Sequence, residues 1–196
     1  MEAQNNDCGR LNKSENGSGG SYLLENLKLR RSTYVLFIAW GIIAFFVASA
    51  IFKFQPLTVS FSINDRRLLS GLGRGILLLF AYIIFTIIPS RVAIVIPSFF
   101  YFGLLGSYLW QFLMVVLSGN WRGIAIDLLF VLSYMVLIYC ATMTSFQIIN
   151  LVQKNRSVYY FSKWFKSVKR VIKAHWLSLT IVTGAYVVLW SIFSLI

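Results

Sequence analysis

Five long apolar runs, separated by shorter polar breaks, dominate the sequence after residue 30. Each run is long enough for a helix of about 20 residues, the length that crosses the hydrocarbon core of a membrane at 1.5 Å per residue. The pattern predicts transmembrane helices over residues 33–52, 71–89, 92–117, 124–149 and 175–196. We therefore expect an all-α fold, namely an integral membrane bundle of about five transmembrane helices.

The segment before the first run has the composition of a disordered tail. Gly, Ser, Asn and charged residues dominate residues 1–20, and so few apolar residues cannot offset the entropy lost on ordering. We expect a disordered cytoplasmic tail over residues 1–30 and a five-helix transmembrane domain over residues 31–196. A signal peptide is the alternative for the first run, because Ala48-Ser49-Ala50 resembles a cleavage site, but the lengths of the run and of the preceding segment favour a membrane helix.

The first polar break, residues 53–70, contains a short alternating pattern. Val59, Phe61 and Ile63 are apolar, and the residues between them are polar. A period of two is typical of a strand, so the break is compatible with a short strand-like segment or an interfacial loop.

Lys and Arg residues are unevenly divided between the two ends of the predicted helices. One set of ends carries eleven of them, namely Lys28, Arg30, Arg31, Arg91, Lys154, Arg156, Lys163, Lys166, Lys169, Arg170 and Lys173. The opposite set carries five, namely Lys53, Arg66, Arg67, Arg74 and Arg122. Because cytoplasmic loops carry the excess of Lys and Arg, this division predicts a multi-pass protein of the cell membrane with the N-terminus in the cytoplasm and the C-terminus outside.

The composition agrees with a membrane as the solvent of this chain. Of its 196 residues, 58% are hydrophobic and 12% are charged, whereas soluble domains carry about 25% charged residues. The formal net charge of +12 raises the question of nucleic-acid binding, but the basic residues flank apolar runs, where they determine topology. We expect the lipid bilayer and other membrane or envelope proteins as partners and no nucleic acid, and an oligomer is compatible with the same pattern.

Residues 158–176 combine basic and aromatic residues at helical spacing. This pattern is typical of a basic amphipathic helix that lies in the cytoplasmic interface of the membrane, where each basic residue contributes on the order of 1 kcal/mol near anionic lipids. The segment acts either as a positively charged anchor alone or as a surface for a partner. The candidate membrane-surface or partner-binding residues are Lys163, Lys166, Lys169, Arg170, Lys173, Trp164 and Phe165.

Two pairs of residues within the apolar runs are candidates for helix packing and for an ion pair. Gly103 and Gly106 are three residues apart and share a helix face, where small residues let a second helix approach closely.

Arg74 and Asp127 each lie about four residues from the outer end of their predicted helices, roughly 6 Å below the same surface. Because an unpaired charge at that depth is costly, we predict an intramembrane ion pair between them. Separate snorkelling of the two side chains to the headgroups is the alternative.

The sequence carries no motif for catalysis. An intramembrane protease would need a Ser–His pair or paired aspartates, whereas Asp127 is the only aspartate in the apolar runs and His175 lies at the edge of the last one. A Gly-rich phosphate loop for ATP is also missing, and His175 has no Cys or carboxylate at the spacing of zinc ligands. We therefore predict a protein that is not an enzyme and that has no cofactor and no metal site.

Four stretches together carry a family resemblance. They are the first helix over residues 31–50, the Phe100-x-x-Gly103-x-x-Gly106 helix, the turn over residues 119–123 and the basic run over residues 154–173. This layout resembles the stage II sporulation protein M family of endospore-forming bacteria over residues 30–196, although residues 124–131 read IAIDLLFV where the family usually carries a Pro-Gln-Asn element. The resemblance implies a membrane subunit that anchors or recruits cell-wall remodelling enzymes during engulfment.

These observations favour a non-enzymatic multi-pass membrane subunit of a cell-envelope complex, which anchors cell-wall remodelling machinery during sporulation if the resemblance holds. The alternatives are a permease-type transporter subunit that works with a separate ATPase, and a membrane immunity protein. A transporter needs a polar path near the middle of the membrane, whereas the middles of the apolar runs consist mostly of Leu, Ile, Val and Phe.

Overall fold

The computed structural model describes residues 31–51, 59–61, 65–154 and 159–195. The residues from Phe37 onward belong to one compact unit, and every side-chain contact that positions the candidate site lies within it. The predicted tail, residues 1–30, lies outside the described residues.

Five α-helices and two short strands follow one another in the described part of the chain. In chain order they are α1 (Arg31–Ile51), β1 (Val59–Phe61), α2 (Asp65–Phe85), α3 (Val95–Leu117), α4 (Trp121–Lys154), α5 (Tyr160–Ile192) and β2 (Phe193–Leu195). A 3₁₀ turn, Arg91–Ile94, leads into α3. The prediction of an all-α membrane bundle is confirmed.

The helices have lengths and compositions that suit a membrane. Four of the described helices are long and apolar enough to cross one, namely α2, α4, α5 and α3 together with the turn before it. The described side chains of α1 form a shorter apolar helix, Val35–Ile51, which reaches the lower limit of about 17–25 residues for a membrane helix. Large apolar side chains face outward on every helix, with exposed fractions such as 69% for Leu69 and 62% for Phe100, as expected for contact with lipid.

Successive helices run in opposite directions, so the bundle has two chemically different ends. The turn that follows α2, the last turns of α4 and the first turns of α5 meet at one end, where side chains of α4 and α5 donate hydrogen bonds to carbonyl oxygens of the turn. We call this the basic end, because Lys154 and Lys163 belong to those turns. The start of α2, the start of α4 and the two strands lie at the opposite end.

Local sequence explains where the helices stop. Pro89 cannot continue α2, and the Ser90 side chain accepts a hydrogen bond of 3.3 Å from the backbone N–H two residues later, which caps the 3₁₀ turn. Between α3 and α4, Gly119 has a φ of 72°, a left-handed conformation that glycine adopts without strain. The side-chain oxygen of Asn120 then accepts a hydrogen bond of 3.2 Å from the backbone N–H of Gly123 and so caps the start of α4.

The basic segment is the first part of the last helix rather than a separate helix in the membrane plane. The sequence pattern predicted that the last span begins near residue 175, whereas α5 begins at Tyr160 and continues to Ile192. No Pro or Gly stands between residues 160 and 176, so nothing in the backbone ends the helix there. α2 likewise begins at Asp65 instead of residue 71, because an acidic residue suits the first turn of a helix.

The two strands form a small antiparallel sheet at the opposite end of the bundle. Val59 pairs with Leu195 and Phe61 pairs with Phe193. Of the two alternatives that the alternation around residue 59 left open, a strand-like segment and an interfacial loop, the structure has the strand over Val59–Phe61. The prediction of helix as far as residue 196 is wrong for β2, because the backbone of this segment pairs with β1 instead of continuing α5.

Aromatic side chains fill the interior of the bundle. Five tyrosines are at most 8% exposed, namely Tyr82, Tyr101, Tyr108, Tyr134 and Tyr186. The rings of Tyr108 and Tyr134 meet edge to face with their centroids 4.9 Å apart. The Tyr82 hydroxyl donates a hydrogen bond to Oγ of Ser98 at 2.9 Å, and the Tyr134 hydroxyl donates to the carbonyl oxygen of Tyr101 at 3.3 Å. The core is therefore packed aromatic structure whose polar tips have partners within it.

Candidate functional site

The basic end contains a compact unit that we call the basic platform (residues 148–154 of α4 and 160–173 of α5). It has a small hydrophobic core of its own, formed by Ile148, Val152, Val168 and Val171, each at most 9% exposed. These residues recur at a spacing of three or four on each helix, which puts them on the faces that meet. The platform is therefore folded structure, continuous with the membrane helices.

Hydrogen bonds fix the platform to the turn that follows α2. Nε1 of Trp164 donates to Oγ1 of Thr86 at 2.9 Å, and the Tyr160 hydroxyl donates to the carbonyl oxygen of Ile87. Gln153 on α4 adds an amide hydrogen bond of 3.0 Å to a carbonyl oxygen of the same turn. Carbonyl groups at the end of a helix have no partner within that helix, so the platform supplies donors that the end of α2 needs.

The predicted surface residues divide between inward and outward positions. Trp164 points inward and holds the platform to α2. In contrast, Phe165 is 66% exposed, and Phe161, one helical turn earlier, is 70% exposed. Among the basic residues, Lys163 is partly buried, and those exposed are Lys166, Lys169, Arg170 and Lys173. The outer surface of the platform thus combines aromatic and basic side chains.

A cavity of about 550 Å³ opens between the two helices of the platform. We call it the cationic cleft, and its lining residues are Leu151, Lys154, Lys166, Ser167 and Arg170. Lys154 comes from the last turn of α4. Lys166 and Arg170 are four residues apart on α5 and therefore project from one face of the helix. The fold thus brings three basic side chains from two helices to one cavity.

The predicted glycine pair lies where α3 meets α1. A Cβ atom at Gly106 would stand 3.0 Å from the carbonyl oxygen of Gly41, so a larger residue would push against backbone. A Cβ atom at Gly103 would stand 3.0 Å from Nε1 of Trp40, which donates a hydrogen bond of 2.8 Å to a carbonyl oxygen of α3. Both glycines therefore face the first helix at close range.

Arg74 lies over an aromatic ring. Its guanidinium carbon is 4.4 Å from the centre of the Trp190 ring, a distance typical of a cation–π interaction, and its side chain also interacts with the Tyr108 hydroxyl. The same indole covers Gly71, where a Cβ atom would stand 2.7 Å from Cδ1 of Trp190. Gly71 and Arg74 are three residues apart, so they lie on one face of α2 and both contact the indole of Trp190.

The predicted ion pair between Arg74 and Asp127 is not present in the structure. Asp127 is 1% exposed, and neither of its carboxylate oxygens has a hydrogen-bonding partner in the part of the chain that the structure describes. Arg74 lies nine residues after the start of α2, and Asp127 lies six residues after the start of α4. Arg74 also turns toward α5 rather than α4.

The residue types that bind metal ions are scattered over the described part of the chain. No group of three or more His, Cys, Asp or Glu residues that could hold a metal ion occurs among the described residues. His175 lines a small cavity of about 160 Å³ with Cys140 and Gln147, which offers fewer donors than the four ligands of a structural zinc site. A larger cavity of about 540 Å³ lies between α2, α4 and α5, and its walls are mainly apolar.

Sequence patterns did not indicate the residues that hold the platform in place. Thr86 and Trp164 are 78 residues apart, and Ile87 and Tyr160 are 73 residues apart. Their partnership depends on how α2 packs against α5, which spacing along the chain does not reveal. The only available signal was the helical period of the basic segment, since it puts Trp164 on the same face as the buried valines.

The chain matches no protein-family model, and neither a curated protein nor a solved structure is significantly similar to it.

Proposed function

We propose that this chain is a non-enzymatic multi-pass membrane subunit of a cell-envelope complex, and that the basic platform contacts another protein of that complex. The observation that carries the proposal is a rigidly held unit with an exposed aromatic and basic surface. Trp164 and Tyr160 hold the platform on α2, while Phe161 and Phe165 are 70% and 66% exposed. Aromatic residues and arginine are enriched at the centres of protein interfaces.

The length of α5 favours a protein partner over a purely lipid anchor. The apolar part of the helix begins at Trp176, and Tyr160 precedes it by 16 residues, which is about 24 Å along the axis. The headgroup layer is only about 5–8 Å thick on each side of the bilayer, so the first turns of α5 extend beyond it. Phe161 and Phe165 are then exposed to water, and a partner that covers them gains roughly 25 cal/mol per Å² of apolar surface.

Charge and family resemblance extend this proposal. The excess of Lys and Arg at the basic end favours the cytoplasm for the platform and the outside for the C-terminus. The resemblance to the stage II sporulation protein M family suggests that the complex anchors cell-wall remodelling machinery during sporulation. If the producing organism forms spores, loss of the protein should arrest engulfment, observed with a membrane dye. Normal engulfment would remove this extension and leave the proposal of a membrane subunit.

Site-specific photocross-linking in the producing cells tests the proposal. A photoreactive residue at Phe165 should give a discrete protein adduct. The same residue at Phe80, which is 57% exposed on α2 within the lipid-facing bundle, should give lipid adducts only. Changing Lys163, Lys166 and Lys169 to Glu should abolish the protein adduct at an unchanged protein level. Absence of an adduct at Phe165, or an adduct that survives the charge reversal, would contradict the proposal.

A permease-type subunit that works with a separate ATPase is the second candidate, and one observation favours it. The buried carboxylate of Asp127, without a hydrogen-bonding partner among the described residues, has the character of an intramembrane ion or proton site. In a transporter, Asp127→Asn, or changes at Gln111 and Ser133, should abolish function while the protein level and the adduct at Phe165 stay normal. In a scaffold, the same changes should leave function intact.

A further inference from the structure

The cationic cleft concentrates positive charge that no described carboxylate balances. Asp65 and Asp127 are the acidic residues of the described part of the chain, and both lie near helix starts at the opposite end of the bundle. The cavity volume of about 550 Å³ corresponds to a diameter of about 10 Å, close to the Debye length of about 8 Å at physiological ionic strength. The three basic side chains therefore repel one another across the cleft, and an anion between them relieves that repulsion.

We propose that the cationic cleft binds a phosphate group. Arg170 offers a planar fork of N–H donors that matches two phosphate oxygens at once, and Lys154 and Lys166 add compact positive charges. Ser167, which is 5% exposed, adds a hydroxyl to the lining of the cleft. Since a water molecule occupies about 30 Å³ in the liquid, the cavity has room for a phosphate group together with several of its hydrating waters.

The depth of the cleft favours a phospholipid headgroup as the source of that phosphate. On α4, the apolar run ends at Ile149, and Lys154 follows about 8 Å farther along the axis. On α5, Arg170 precedes Trp176, where the apolar run begins, by about 9 Å. Because the headgroup layer is about 5–8 Å thick, Lys154 and Arg170 lie at its outer edge, where their long side chains reach back to the lipid phosphates. Lys166 lies one helical turn farther toward the water. A soluble phosphate compound offers the same chemistry from the aqueous side.

This inference deepens the proposed function and rests on it only in assigning the platform to the membrane surface. The cleft uses Lys154, Lys166 and Arg170, whereas the contact with a protein partner centres on Phe161 and Phe165. Lys166 is also changed in the charge-reversal variant that tests partner binding, so partner binding is read from the adduct at Phe165 and lipid binding from a titration. Each can then fail separately.

Two variants of the full chain with equal loss of charge form the test. The cleft variant changes Lys154, Lys166 and Arg170 to Gln. The control variant changes Lys163, Lys169 and Lys173, which belong to the same platform but do not line the cleft, to Gln. Each protein is titrated with phosphatidylglycerol in phosphatidylcholine nanodiscs, and separately in detergent with inorganic phosphate against chloride at equal ionic strength.

We expect the cleft variant to bind phosphatidylglycerol about tenfold more weakly than the unchanged chain, and the control variant to bind it almost as well as the unchanged chain. Binding of phosphatidylglycerol without binding of inorganic phosphate identifies the lipid as the source. Binding of inorganic phosphate without preference for phosphatidylglycerol identifies a soluble phosphate. Equal losses in both variants, or no binding of either probe to the unchanged chain, would overturn the proposal.

Single changes keep the test decisive if the triple variant does not reach the membrane. Lys166→Gln, which removes one cation of the cleft, should weaken binding more than Lys169→Gln, and equal effects would overturn the proposal. The photoreactive residue at Phe165 is carried in the same proteins. Lipid binding in a chain that gives no protein adduct would refute the proposed function and leave the phosphate site in place.

Discussion

The guanidinium carbon of Arg74 lies 4.4 Å from the centre of the Trp190 ring, and Gly71 provides the space in which the indole rests against α2. An arginine within an apolar bundle thus has an aromatic face as its electrostatic partner. Such contacts contribute about 0.5–1 kcal/mol at exposed positions and more when they are desolvated. The contact joins α2 to α5 in the half of the bundle away from the basic platform.

A double-mutant cycle between Arg74 and Trp190 should therefore give a measurable coupling energy. Arg74→Gln and Trp190→Leu should each lower the free energy of unfolding, and their coupling should be about 0.5–1 kcal/mol. Trp190→Phe should retain part of the coupling, because it keeps a smaller aromatic face. Unfolding in mixed micelles measures all of these variants, and a coupling indistinguishable from zero would show that the contact is only steric.

Arg74 and Asp127 should behave as independent sites. The sequence predicted an ion pair, for which the double variant loses less stability than the sum of the single variants. Because Arg74 faces Trp190 instead, the losses from Arg74→Ala and Asp127→Ala should add within about 0.3–0.5 kcal/mol. The same unfolding assay tests this prediction. If the double variant loses clearly less unfolding free energy than the two single variants together, the two residues form an ion pair after all.

Gly106→Ala should loosen the contact between α3 and α1. The added methyl group meets the backbone oxygen of Gly41 at 3.0 Å, and overpacking of this kind costs about 1–3 kcal/mol. Gly184→Ala is the matched control, because nothing lies within 4 Å of its added Cβ atom, so better helix propensity should stabilise it by up to about 1 kcal/mol. Thermal melting in detergent compares the two, and equal midpoints would argue against the close approach of α1.

Trp164→Phe should loosen the attachment of the platform to α2 without unfolding the bundle. The change keeps an aromatic ring but removes the hydrogen bond to Thr86, at a cost of about 0.5–1.5 kcal/mol. Trp176→Phe, on the same helix at a side chain that is 62% exposed, is the control. Trypsin should cleave after Lys163 and Lys166 faster in Trp164→Phe than in the control, and similar rates would mean that the hydrogen bond does not hold the platform.

Reporter fusions test the orientation that the basic residues predict. A reporter that is active only outside the cytoplasm should be active when fused after Ile196 and inactive when fused after Lys154. The reason is the excess of Lys and Arg at the basic end, which is retained in the cytoplasm during insertion. The reverse activities at both fusion points would overturn the predicted topology.

The helices of the membrane bundle could be predicted because length and apolarity are properties of a single segment. The residue at which each helix starts could not be predicted in this way. The apolar run of α2 begins near residue 71, but Asp65 and the arginines after it extend the helix beyond the run. The predicted ion pair failed for another reason, because the depth of Arg74 does not reveal that its side chain faces Trp190 on α5. β2 was missed for a similar reason, because its strand conformation depends on pairing with a distant segment.

Only part of the candidate site could be predicted in the same way. The helical period identified the basic and aromatic character of α5, including the exposed Phe165. It could not show that Trp164 bonds to Thr86, or that Lys154 from α4 joins Lys166 and Arg170 at one cavity. Those contacts exist only once two helices are packed side by side, and no spacing within one segment carries that information.

The pairing of β1 with β2 has a consequence for the order in which one end of the bundle forms. Val59 and Leu195, which face each other in the sheet, are separated by 136 residues of chain (195 − 59). During synthesis, β1 leaves the ribosome long before its partner exists, and a contact of such large sequence separation forms late because a long loop must close first. The end of the bundle that holds the sheet is therefore completed only after α5 has been inserted. A new copy therefore gains its last native contacts at this end of the bundle only once synthesis has passed α5.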